Sequence, residues 1–126
     1  MTSILLVDDD PLQASLILSV LEQRFGDIRR VTAAAAALCL IEQREFTDNL
    51  RLLISGHHLP GMGGPAFVNE LHSRMPDLPV LVLGTAGATP ADYAETHAAL
   101  LAKPFSSEKM LALTRQMLTD HKDAVA

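Results

Sequence analysis

Two acids stand side by side after the apolar run "SILLV": Asp8 and Asp9, in "ILLVDDDP". Carboxylates so placed can hold a divalent cation, and a lysine reaching them can pair with one of them directly. Lys103, in "LLAKPF", is the candidate lysine. The plainer reading makes Asp8 and Asp9 a strand-end turn, with Asp10 as a helix cap. Further along lies "LLISGHHLPGMGGP", residues 52–65, an apolar run opening into a loop. Gly56 stands at the mouth of that run, where an α/β domain commonly keeps its chemistry, and offers no side chain to react. His57 and His58 follow it, and imidazole with carboxylate suits zinc, but successive residues of an extended chain point apart. "GMGG" lacks the GxxxxGK[ST] spacing of a phosphate-binding loop, so its glycines are read as turn formers. Cys39, the single cysteine, lies in "AAALCLIEQ" and is read as a small buried hydrophobe. His72, His97 and His121 fall in helical stretches and are read as surface residues.

The elements that must position these side chains follow from the pattern of apolar residues. "SILLV" (3–7) is bounded by acids and continuously apolar, as a strand covered on both faces should be. Asp10 caps a helix with Pro11 in its first position, an apolar face of Leu12, Leu16 and Val20 flanked by Ile17 and Leu21, and an end near Phe25-Gly26. "IRRVT" (28–32) reads as a more polar edge strand, and Ala33 to about Arg44 as an alanine-rich helix able to approach a sheet closely. "LRLLIS" (50–55) is a third strand, Pro65 to about Met75 a third helix, and "PVLVLG" (79–84) a fourth strand. Residues 90–98 form a short helix with Thr89 as cap, "LLA" (100–102) a brief fifth strand, and Ser106 caps a final helix carrying Met110, Leu113, Met117 and Leu118. The polar tail "TDHKDAVA" is expected to fray. Five β-then-α units predict a parallel sheet with helices on both faces, its site outside the carboxyl ends of the strands.

Bulk properties narrow the function. The 126 residues suit a single domain, 1–126, with an ordered core of about 3–119. A formal charge of −5 argues against non-specific binding to nucleic acid or anionic lipid, and no apolar run reaches membrane-spanning length. The start "MTSILLVDDD" is not a signal peptide, because aspartates interrupt the apolar run at once. One cysteine excludes an internal disulfide and suits a cytoplasmic location.

Taken together, "ILLVDDDP", "LPGMGG" and "KPF", in that order and each at the carboxyl end of a predicted strand, resemble the receiver domain of bacterial response regulators, from Ser3 to about Leu118. The resemblance implies a flavodoxin-like three-layer (βα)5 sandwich with parallel sheet order 2-1-3-4-5. In that family an acidic pair helps hold Mg²⁺, and an aspartate after strand three takes a phosphoryl group from a histidine kinase. A Thr or Ser after strand four and a Lys before proline contact that group, and an aromatic in strand five rotates to report it. Carried over position by position, the acidic pair is Asp8 and Asp9, and the lysine is Lys103, followed by Pro104. The acceptor position falls on Gly56, the hydroxyl position on Gly84 with Thr85 one residue later, and the aromatic position on Leu100.

A glycine cannot form an acyl phosphate, and a cation site without that carboxylate has lost an anionic ligand. No cofactor is therefore expected, and Mg²⁺ at Asp8 and Asp9 should bind weakly or not at all. The resemblance so altered implies a pseudo-receiver: not an enzyme, but a module of two-component or phosphorelay signalling that acts by protein–protein contact without phosphorylation. Its implied partners are a histidine kinase, a phosphotransfer protein or an output domain, or a second copy in a homodimer; it has no nucleic acid or membrane partner. The contact face implied first is the last strand with its flanking helices, and the rival face is the first helix. Two alternatives stand beside this: a small-ligand or metal sensor using the vacated pocket, and a receiver phosphorylated at a displaced residue such as Ser55 or a histidine.

Overall fold

The computed structural model describes residues 3–59, 61–84, 98–102 and 105–125. Strand β1 (Ile4–Val7) is buried at every position. It pairs in parallel with β2 (Ile28–Val31) on one side and β3 (Leu52–Gly56) on the other. β6 (Val80–Gly84) and β7 (Ala98–Ala102) extend the sheet, giving the order β2-β1-β3-β6-β7. Numbering only the strands of this sheet gives 2-1-3-4-5, as the resemblance implied.

Side chains alternate across the sheet, so each strand feeds two cores. Ile4, Leu6, Leu52, Ile54, Leu81 and Leu83 pack with α1 (Pro11–Glu22) and α5 (Ser107–Val125). Leu5, Val7, Leu53, Val80 and Val82 pack with α2 (Ala34–Ile41) and α4 (Gly64–Arg74). β2, paired only with β1, is half-buried to exposed, as expected of an edge.

Helix α1 starts as read: the Asp10 side chain accepts from the N–H groups of Leu12 and Gln13, and Pro11 takes the first turn. Its buried face differs from the one expected. Ala14, Ile17 and Leu21 face the sheet, while Leu12 and Leu16 are 72% and 63% exposed. Ala14 lets the helix approach closely, and the stripe through it at i+3 and i+7 turns Leu12 and Leu16 outward.

The alanine-rich helix stops at Ile41, and a separate turn, α3 (Arg44–Thr47), follows it. Ala34, Ala37 and Ile41 are its buried stripe, which leaves Cys39 exposed rather than buried. After β3 the chain makes an antiparallel hairpin of β4 (His58–Leu59) and β5 (Met62–Gly63), with Gly61 at φ 78 supplying the left-handed turn. At the far edge, Ala98 opens β7 instead of ending a helix; the rest of the helix read over 90–98, with its cap Thr89, lies outside the described residues. Ser106 caps α5 through its Oγ, which accepts from the Lys109 N–H at 3.1 Å. The tail read as frayed continues this helix to Val125.

Candidate functional site

Asp8 is the first residue past β1, and burial leaves its side chain little choice of partners. The residue is 3% exposed, and its main-chain N–H donates to the Val31 carbonyl at 3.1 Å. Both carboxylate oxygens accept hydrogen bonds from the start of α1: Oδ1 from the Asp10 N–H at 2.9 Å, Oδ2 from the Gln13 Nε2 at 2.8 Å. Its carbonyl oxygen is held separately by Arg30, whose Nε and Nη2 donate at 3.2 and 2.9 Å. A buried carboxylate needs such donors, because desolvation of the bare charge is costly. Asp9 is exposed, and Asp10 is committed to the helix cap, its Oδ1 accepting from Leu12 at 3.0 Å and Gln13 at 3.3 Å.

The sheet register brings Gly56 to this acid. Val7 pairs with Ser55, so Asp8 leaves β1 level with Gly56, the last residue of β3. Gly56 pairs in turn with Leu83, and Gly84, buried, pairs with Ala102. Asp8, Gly56 and Gly84 thus share the carboxyl edge of three adjacent strands. Leu100 pairs with Val82 inside β7 and packs, half-buried, against the core under α2 and α4. Lys103, Pro104 and Thr85 lie outside the described residues. The Gly64 N–H donates to the His57 carbonyl at 2.9 Å, closing the hairpin beside the site. Ser55 is 1% exposed, and its hydroxyl donates to the Gly56 carbonyl at 2.9 Å.

As a cation site the described donors are few. Mg²⁺ requires six oxygens in near-octahedral array. Here one carboxylate is already hydrogen-bonded at both oxygens, a second is exposed, and residue 56 brings no side chain. Among the described residues, no group of three or more His, Cys, Asp or Glu is arranged to hold a metal.

Two contributors, Gln13 and Arg30, were not singled out from the sequence. Gln13 carried a signal, since an acid cap followed three residues later by Gln is the pattern of a capping box. Its amide reaches Asp8 instead of the cap. Arg30 carried a weaker one: in an edge strand beginning half-buried at Ile28, the second residue after it returns to the same face.

At the opposite, amino-terminal end of the sheet a cleft of about 540 Å³ opens, lined by Ser3, Phe25, Asp27, Arg51, Arg115 and others.

A parallel sheet of this order, with an acid buried at the carboxyl end of its first strand, agrees with the comparisons to known proteins. The family model described as response regulator receiver domain matches residues 4–115. The chain belongs to that family. The response regulator protein FleR of Pseudomonas aeruginosa is 30% identical over an aligned length of 120 residues, a match that covers 87% of this chain and 23% of that protein. The chain therefore spans about a quarter of that relative's length. Among solved structures, the signal receiver domain of an HD domain-containing protein from Pseudomonas fluorescens is 26% identical, with a TM-score of 0.82 over 98% of this chain and 90% of that one. A receiver domain from Clostridium thermocellum, 18% identical, shares the fold at a TM-score of 0.83 over 97% and 98%. Receiver domains are signalling modules that work with histidine kinases and output domains. No helix among the described residues is long and apolar enough to cross a membrane.

Proposed function

We propose that this chain is an atypical receiver that takes no phosphoryl group and signals by protein–protein contact alone. The observation carrying this reading is Gly56, the residue that the register sets beside the buried Asp8 at the end of β3. In the family that place belongs to the phosphoryl-accepting aspartate. Glycine offers no oxygen nucleophile, so no acyl phosphate forms there. Gly84 and Leu100, at the positions of the family's hydroxyl and aromatic, supply neither a donor to follow a phosphoryl group nor a polar ring to rotate behind it. A displaced acceptor at Ser55 is disfavoured, because that hydroxyl is buried and already donates to Gly56.

The contact surface in this reading is α1. Among the described residues, the large apolar side chains left exposed are Leu12 and Leu16, one helical turn apart on the helix that begins at the acidic site. A helical partner, as a histidine kinase or a phosphotransfer protein would offer, suits such an i, i+4 pair. This favours the first helix over the last strand and its flanking helices as the docking face.

Intact mass after incubation with acetyl phosphate and Mg²⁺ tests the proposal, with Gly56→Asp run beside the native chain. The native chain is expected to show no phosphate adduct. An adduct on it overturns the reading.

A further inference from the structure

We infer that Gln13 is an internal ligand of Asp8, occupying with a neutral amide the place a cation would take and fixing the acidic site in a cation-free arrangement. The inference rests on the reading of the chain as a receiver that takes no phosphoryl group, and says how the rest of its pocket is kept in order.

Asp8 is almost fully buried, so its carboxylate must be matched by donors or by a cation. The chain supplies donors at both oxygens from a single turn of α1. One is the Asp10 N–H, a main-chain group that any residue there except proline would provide. The other is the Gln13 amide, which only this side chain brings. The same turn is tied down by the Asp10 cap, whose Oδ1 accepts from the N–H of Gln13 itself at 3.3 Å. Gln13 is thus held at both its main chain and its amide.

An amide N–H directed at Oδ2 presents positive potential along the line a cation would use to approach that oxygen. A metal would have to displace the amide and forfeit a hydrogen bond to an ionised acceptor, which is stronger than a neutral one. Among the described residues, Arg30 brings its positive charge to the Asp8 carbonyl, while the hydrogen bonds to the carboxylate come from Gln13 and the start of the helix. Replacing Gly56 by aspartate would therefore add a ligand to a site whose first ligand is already engaged.

Calorimetric titration with Mg²⁺ tests this on Gly56→Asp and on Gly56→Asp combined with Gln13→Met. Methionine keeps the length of the side chain and removes the donor. The double variant is expected to bind Mg²⁺ about tenfold more tightly than Gly56→Asp, the equivalent of one hydrogen bond to a charged group. Equal affinities overturn the inference, as does a lower melting temperature with no change in Mg²⁺ affinity, the result of a packing role alone. Should circular dichroism show the methionine variant unfolded, Gln13→Ser, too short to reach Asp8, takes its place with the same two outcomes. The acetyl phosphate result on the native chain is independent, so a failure of the functional reading and a failure of the Gln13 assignment are separately visible.

Discussion

Single polar atoms decide much of this molecule, and they do so by whether burial leaves them a partner. Asp8 is buried and matched at every oxygen. Thr114, on α5, is fully buried, and its hydroxyl has no hydrogen-bond partner among the described residues. An unmatched hydroxyl in an apolar core costs roughly 1–3 kcal/mol, whereas a methyl in its place costs nothing in lost solvation. Thr114→Val should therefore stabilise the domain by about 1 kcal/mol and raise its melting temperature by about 3 °C. A thermal melt reads this directly, and a fall in melting temperature would show that the hydroxyl is matched after all. The contrast with Ser55 is instructive, since that equally buried hydroxyl donates to the next carbonyl along its own strand. The sequence showed both residues only as small polar groups within apolar stretches. Whether such a hydroxyl finds a partner is decided by the backbone of the folded chain, so no spacing rule could separate the matched one from the unmatched one.

Helices and strands were legible wherever the apolar pattern admitted one solution. β1, β3 and β6 are short apolar runs between polar boundaries, and the Asp10 and Ser106 caps mark their helix starts as read. Helix α1 admitted several solutions, because Leu12, Ala14, Leu16, Ile17, Leu18, Val20 and Leu21 put apolar side chains on more than one face. Large residues suggested the stripe through Leu12 and Leu16; the sheet selected the one through Ala14. The same choice of a small-residue stripe in α2 turned Cys39 outward. The site was legible at Asp8 and Gly56, which the strand ends fix, but not at Gln13, whose amide reaches back past its own cap. The two faces of α1 should respond oppositely to substitution. Leu12→Gln and Leu16→Gln remove no buried contact and keep helix propensity, so each should change stability by less than about 0.5 kcal/mol. Ile17→Ala, on the buried face, should cost about 2–4 kcal/mol. Urea denaturation of the three variants checks the pattern, and a large loss at Leu16 would mean that this side chain is covered within the domain rather than free for a partner.

The folded domain as a whole separates two places where a small molecule could act, and the separation makes the contact reading testable against the sensor reading. The acidic site lies at the carboxyl ends of the strands, with Asp8 hydrogen-bonded to its own chain. The 540 Å³ cleft lies at their amino ends, with Arg51 and Arg115 on its walls. Any molecule that binds the native state alone raises the melting temperature, by the equivalent of about 2.7 kcal/mol at a hundred times its Kd. For a chain of this size that is a shift of about 8 °C, well within reach of a routine melt. A contact module with a self-satisfied acidic site should give a flat response to Mg²⁺, Zn²⁺, phosphate and nucleotides. At 10 mM Mg²⁺ the shift should stay below about 1 °C, which corresponds to a Kd weaker than about 20 mM. A rise of several degrees with any one of these would favour a sensor, and two variants would then say where it binds. Loss of the shift in Asp8→Asn places the ligand beside Gly56, and loss in Arg51→Gln places it in the cleft at the other end of the sheet.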